Sequence, residues 1–331
     1  LSCSTQTVPP ARRPIATTTR SYGDCPAQID ARGGSAKSIS VRRSFAAPVP
    51  GITDVHIHLQ PYENLRPSVL GTMRRTMPDF DAMVQRMRDP RKLLQHLSDA
   101  GVERACLINY AAPEVMGLGL DANAFVSKYA SEDPARLLAF GGIHPRFTKD
   151  PEGDVERLAS KYEMRGLKIH PPHQLFAPNA YVEGQMPALW TIYRTAERLH
   201  LPIMFHTVTS VFPGARSKFG DPMALDDVAT DFPDLTIIMA HGGRPMWCET
   251  AFYLIRAHPN IYLDTSSIPP KRLLEWFPQI EKIADRALFG SDWPGPGIPG
   301  IREELDGMRS LPLSDAFKER YFVSNARRVF P

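Results

Sequence analysis

From Gly51 onward, short apolar runs alternate with longer stretches of helical periodicity, and this alternation predicts the fold. The runs are 52–58, 104–110, 137–144, 166–170, 202–206, 235–241, 261–265 and 287–292. Each is short, near-continuously apolar and bounded by turn residues, as expected of a strand buried on both faces. Between them, apolar positions at three- and four-residue spacing predict helices near 91–100, 121–131, 152–162, 183–199, 222–231, 247–258 and 270–284. Further helices are predicted near 301–309 and 314–320. Eight buried strands alternating with helices point to an α/β fold, a (β/α)8 TIM barrel. An open doubly wound sheet is the runner-up, but no GxGxxG turn follows the first run. Residues 60–90, with Tyr62, Met73, Met77, Phe80 and Met83, form an insertion after the first strand. Two readings stay open for it: a lid over the barrel mouth, or a helix packed on the barrel side.

Residues 1–50 break this pattern. They are rich in Ser, Thr, Pro, Ala and Arg, lack any sustained period, and are read as a disordered extension. The domain division is therefore 1–50 for the extension and 51–331 for the barrel. Seven basic and two acidic residues in the extension give it a balance of +5, so the net +3 of the 331-residue chain hides a body of −2. A near-neutral body gives no electrostatic case for nucleic acid as a partner. No run approaches the ~18 apolar residues of a membrane span, so no membrane role is expected. Four scattered cysteines, Cys3, Cys25, Cys106 and Cys248, make no disulfide framework and no CxxC. A reducing, cytoplasmic setting is expected, with organelle targeting by residues 1–50 as the alternative that their basic, acid-poor composition suggests.

The histidines give this barrel its chemistry. His56 and His58 share one face of the first strand, because side chains at i and i+2 point the same way. His144, His170, His206 and His241 each end a predicted strand, His173 lies just past one, and Asp292 ends the eighth. In barrels of this kind the carboxyl ends of the strands carry the active site. Imidazoles and a carboxylate gathered on one rim point to a metal site. His96, His200 and His258 fall on helices or before strands and are read as packing or surface residues.

Together, Asp54-Val55-His56-Ile57-His58, the His206 strand, Met239-Ala240-His241-Gly242-Gly243, Phe289-Gly290-Ser291-Asp292-Trp293-Pro294 and Asn325-Ala326-Arg327-Arg328 resemble the amidohydrolase superfamily. The closer resemblance is to its amidohydrolase-related branch of metal-dependent barrel hydrolases and decarboxylases. It runs from about Ile52 to Phe330. It implies that His56, His58, His206 and Asp292 bind one divalent ion, most often Zn2+, with Mn2+ as the alternative. In that scheme water activated by the ion attacks a small cyclic ester, amide or related C–O or C–N bond. Asp292 moves the proton and His241 supports the developing charge. The alternative is a lyase: non-oxidative decarboxylation of an aromatic or unsaturated acid by the same residues. A TatD-like nuclease and a non-catalytic binding barrel complete the alternatives, and the −2 body suits a polyanion poorly.

Lys168 has three readings. It is carboxylated and bridges a second ion, or it is an ammonium that meets a substrate carboxylate or oxyanion, or it pairs with a nearby acid such as Asp54. His170 and His173 open the loop after the fourth strand and are expected to line the pocket, with His144 in the equivalent place after the third. Arg244 has two readings: it binds an anionic, carboxylate-bearing small-molecule substrate, or it is a solvated arginine at a helix start. Trp293 is either an aromatic wall or a packing residue. A homodimer is a family habit for which the sequence gives no surface.

Overall fold

The computed structural model describes residues 51–77 and 79–331. The extension expected over 1–50 lies outside the described residues. Eight strands, β1 (Thr53–His58), β2 (Arg104–Ile108), β3 (Leu137–Gly142), β4 (Gly166–Ile169), β5 (Ile203–His206), β6 (Ile237–Ala240), β7 (Ile261–Asp264) and β8 (Ala287–Leu288), pair in parallel in sequence order. Each coincides with one of the eight apolar runs. The seam between the first and last strands is closed by Val55 N donating to Phe289 O, Asp292 N to His56 O and His58 N to Trp293 O, each at 2.9 Å. The sheet is thus a nearly closed barrel.

The eighth run is strand over two residues only. Beyond Leu288 the chain still follows β1, but Asp292 adopts a left-handed backbone (φ 68°) that turns it out of strand geometry. The helices follow the predicted pattern with two informative exceptions. Residues 270–284 split into Pro270–Trp276 and a 3-10 turn Ile280–Ile283, because Pro278 interrupts the run. The stretch 183–199 is helical over Ala188–Arg198, after Gly184 turns left-handed at φ 70°. Asp-Pro pairs start several elements. Asp89, Asp150 and Asp221 cap by accepting the backbone N–H of Arg91, Gly153 and Met223, with proline at the first helical position.

Alternation along each strand divides the apolar residues into two cores. Leu107, Leu167, Ile169, Ile203, Phe205 and Ile237 face the helices, and Cys106, Ile108, Leu138, Phe140, Met204 and Ile238 fill the barrel. The C-terminal helix Asn325–Val329 closes the barrel floor, with Ala326 and Phe330 joining the interior cluster. Phe330 meets Phe140 edge-on at 5.6 Å, and Arg104 and Arg165 donate to the carbonyls of Phe330 and Pro331 at 2.5 and 2.6 Å. The insertion contains helices Pro67–Thr76 and Phe80–Met87, whose Val69, Phe80, Met83 and Met87 pack into the outer core. Met73 in addition lines the cavity at the barrel mouth. Cys106 is a buried interior residue, and it and Cys248 are free thiols. Among the described residues no helix is long and apolar enough to cross a membrane.

Candidate metal centre and active site

At the carboxyl ends of the strands lies a cavity of about 250 Å³. Its lining includes His58, Tyr110, His170, His173, His206, His241, Arg244 and Asp292, with Met73, Met116, Val208 and Phe212 on its apolar parts. How the first two histidines reach the rim depends on a local irregularity. The β1–β2 register shifts between Asp54 and Ile57, so Val55 packs inside the barrel while Ile57 packs outside it. This bulge leaves Val55 below the site and sets His56 and His58 facing the axis above it.

Asp292 is the centre of the group. One of its oxygens, Oδ1, lies 3.0 Å from His58 Nε2 and 3.4 Å from His56 Nε2. His56, His241 and Asp292 each offer a ligand atom within 4.8 Å of the others. His206 stands beside His241, ring centroids 4.7 Å apart, and stacks on His170 at 3.8 Å; His170 stacks in turn on His173 at 3.5 Å. Behind the rim, Asp264 Oδ2 lies 2.6 Å from His56 Nδ1, and the Ser266 carbonyl lies 2.9 Å from His241 Nδ1. His241, Ser267 and Asp292 all have left-handed backbones, at φ 70°, 61° and 68°. Non-glycine residues held in this region carry strain of about 1–3 kcal/mol each and concentrate where side chains must be aimed.

Burial sets the protonation states. It pushes His56, His170 and His206 well below the ordinary imidazole range, helped by Lys168, His173 and His241 respectively. It brings His241 down to about 4 and His173 to about 3. These imidazoles are neutral, the form that ligates a metal. Burial opposes ionisation of Asp292, but His241 and the His58 hydrogen bond outweigh it and hold the carboxyl below its usual range. Burial lowers Lys168 to about 8, against the pull of Asp264 and Asp292.

The site fits a divalent ion. The buried Nε2 atoms of His56 and His206 and Nδ1 of His58 have no hydrogen-bond partner. Unpaired buried nitrogens are costly unless something engages them. Imidazoles and one carboxylate are the donor set of Zn2+ and are also used for Mn2+. Of the four expected ligands, His56, His58 and Asp292 are in contact, and His206 stands beside His241, which shares the group with His56 and Asp292.

Lys168 is on the barrel interior as expected, fully buried, and its Nζ has no hydrogen-bond partner. It lies outside the cavity lining. Arg244 lines the cavity, and its guanidinium donates to Ser267 Oγ. His144 is not where it was expected. It is buried away from the cavity, its Nε2 3.4 Å from Glu114 Oε2 and its ring against Phe147 and Phe176. The end of β3 is pulled toward the helix Ala122–Ala130, because Asn123 pairs with both the N–H and the C=O of Gly142. Tyr110 lines the cavity in its stead. Trp293 is likewise outside the cavity lining. Its ring packs on His96 at 4.9 Å with the Arg86 guanidinium 5.9 Å above it, the packing reading of the two. Tyr110, Asp264 and Ser266 are not marked by the strand-end pattern of the sequence. Asp264 carried a usable signal, since a carboxylate ending an otherwise apolar run must find a buried partner.

Residues 53–331 match a family model described as amidohydrolase. No match was found among curated proteins. Solved structures of the same fold include an uncharacterized TIM-barrel protein from Bordetella bronchiseptica, at 19% identity and TM-score 0.66, covering 84% of this chain and 97% of that one. A probable 2-pyrone-4,6-dicarboxylic acid hydrolase from Acinetobacter baumannii, with citric acid bound, aligns at 14% identity and TM-score 0.63 over 85% and 99% of the two chains. A dihydroxybenzoic acid decarboxylase from Polaromonas sp. JS666, with manganese and the inhibitor 2-nitroresorcinol, aligns at 18% and 0.63 over 85% and 96%.

Proposed function

The chain belongs to the amidohydrolase family, a family of metal-dependent hydrolases and decarboxylases, and from that premise we propose that it is a non-oxidative decarboxylase of a small hydroxyaromatic acid. The observation that carries this reading is the half-buried guanidinium of Arg244, among the described residues the only lysine or arginine in the cavity lining, set among flat imidazole and aromatic walls. Such a lining suits a planar monocyclic acid, with Arg244 as the fixed counter-charge for a carboxylate. The hydrolytic reading that leads from sequence takes second place. The Polaromonas neighbour is a decarboxylase that binds a resorcinol, while the hydrolase from Acinetobacter keeps the hydrolytic alternative in view.

His56, His58, His206 and Asp292 would hold the ion, with Zn2+ or Mn2+ both compatible with the donors. When bound, the ion supplies Lewis acidity toward substrate oxygen atoms. Ser267 holds the guanidinium of Arg244 in place, and Arg244 orients the carboxylate. Tyr110, His170 and His173 form a ring-shaped wall against which an aromatic plane stacks. His241 spends its Nδ1 proton on the Ser266 carbonyl, which leaves Nε2 as an acceptor. His241 takes the phenolic proton and returns it to the ring carbon that bears the carboxylate. The carbon–carbon bond then breaks, its electron pair restores the aromatic ring, and CO2 leaves. The phenolate left behind takes one proton from solvent. Lys168, buried and outside the cavity lining, acts as an ammonium that offsets Asp264 and Asp292, a role that needs one ion per chain and no bridging carbamate.

The test is a panel of hydroxybenzoates and lactones offered to protein loaded with Mn2+ or Zn2+. CO2 release with one solvent deuterium per product ring is expected. Acid release from lactones without CO2 from any benzoate would reverse the order of the two readings.

A further inference from the structure

Behind His56 and His241 lies a closed set of hydrogen bonds that no substrate reaches. Asp264, the last residue of β7, is fully buried and outside the cavity lining. Its Oδ2 lies 2.6 Å from His56 Nδ1 and accepts the Ser266 hydroxyl at 2.8 Å; its Oδ1 accepts the Ser266 N–H, also at 2.8 Å. The Ser266 Oγ lies 3.0 Å from Nδ1 of both His56 and His241. We propose that Asp264 and Ser266 are positioning residues that fix His56 and His241 in one tautomer and leave both Nε2 atoms free toward the site, so that divalent-ion affinity at His56 depends on residues that lie behind it.

With Asp264 ionised, which burial opposes and its two Ser266 hydrogen bonds and Lys168 favour, the proton count leaves one arrangement. A carboxylate that accepts three donors can only accept, so the proton shared with His56 belongs to Nδ1. The hydroxyl proton of Ser266 is committed to Asp264, so Oγ presents lone pairs to both imidazoles. The Ser266 carbonyl also only accepts, so His241 too carries its proton on Nδ1. Both Nε2 atoms are then bare, and that of His56 is among the unpartnered buried nitrogens. Room for this arrangement comes from Gly290. A Cβ there would stand 2.5 Å from Asp264 Oδ1, 2.9 Å from His56 Cβ and 3.0 Å from Ser266 Cβ. A carboxylate fixing the far nitrogen of a ligating histidine raises the ligand's basicity, and its loss costs ~10- to 100-fold in metal affinity.

The experiment uses metal-stripped full-length protein titrated with Mn2+ and followed by the EPR signal of the free ion. Asp264→Asn is expected to raise the Mn2+ Kd by ~10- to 100-fold, and Ser266→Ala by less, with the thermal midpoints of the metal-free proteins little changed. A second readout needs no ion. In 15N-histidine spectra of the metal-free wild type, His56 should show a strongly deshielded proton on Nδ1, lost in Asp264→Asn and kept in Ser266→Ala. Wild-type Mn2+ affinity in folded Asp264→Asn, or a wild-type spectrum with the His56 proton on Nε2, would overturn the proposal. Should Asp264→Asn not fold, the wild-type spectrum decides. These readings involve no substrate, so they stand apart from the choice between decarboxylation and hydrolysis.

Discussion

Replacing Phe330 by alanine empties the barrel floor without touching the rim. The ring is 1% exposed and sits in the interior cluster with Val55, Ile108, Leu138, Phe140 and Met204. Removing a buried phenylalanine costs about 3–5 kcal/mol, the spread reflecting how far the surroundings collapse into the gap. Phe330 follows the last helix rather than lying within a strand, so some collapse is expected and the lower half of that range applies. The hydrogen bond from Arg104 goes to the main-chain carbonyl and survives, so the variant isolates the ring. Against a total stability of about 5–15 kcal/mol this is a large fraction. Equilibrium urea unfolding should show a lower midpoint with an unchanged slope. Mn2+ affinity of the folded variant should stay at the wild-type value, because the floor serves stability and the opposite face serves chemistry. A loss below about 1 kcal/mol would refute the plug as a packing element. A fall in Mn2+ affinity under fully native conditions would refute the separation of floor from rim.

Other measurements probe the rim and its surroundings. Arg244→Met should raise KM for the acid substrate ~10- to 100-fold, a loss of about 1.5–3 kcal/mol of charge-assisted binding, with kcat within a few-fold of wild type; an equal fall in kcat would place the guanidinium at the reacting bond instead. Metal analysis of loaded protein should give one ion per chain in both wild type and Lys168→Met, and two in the wild type would restore the bridging carbamate. Glu304, on the buried face of the helix Ile301–Arg309, has its carboxyl pushed up to about 7 by burial, with the Asp292 charge adding to it. The folded state therefore prefers this acid protonated, and stability falls as pH rises from its usual 4.5 through about 7. Glu304→Gln should match the wild type near pH 4 and exceed it by about 1–2 kcal/mol at pH 8 in urea melts, after discounting for solvent at the edge of the carboxyl.

Much of this architecture is legible in the chain because its strands are short, apolar and regularly spaced. All eight lie inside the predicted runs, and the alternation in Leu167-Lys168-Ile169 correctly turns the lysine inward. The bulge between Asp54 and Ile57 was not legible. Period-two reasoning aligns His56 with His58 but gives no sign that Val55 also faces inward. His144 and Trp293 show the limit of placing side chains by strand ends alone. Both follow a terminus as predicted, but the chain's direction there is decided by partners distant in sequence, Asn123 for the first and Arg86 with His96 for the second. Asp264 was missed for the opposite reason. Its run looked complete as a strand, and nothing local reveals that its partner is a histidine more than two hundred residues earlier.

The seam between β1 and β8 has a dynamic consequence. The backbone groups that close the barrel belong to Val55, His56, His58, Phe289, Asp292 and Trp293, so the ladder at the seam also carries three of the expected ligands. A local opening of this edge would part His56 and His58 from Asp292, and an ion gripped by all three would act as a clasp across it. Occupancy would then slow amide exchange selectively at His58 and Asp292, leaving the other strand pairs at their metal-free rates. In such a barrel, the fluctuation that admits the ion and the fluctuation that frays the fold are one motion.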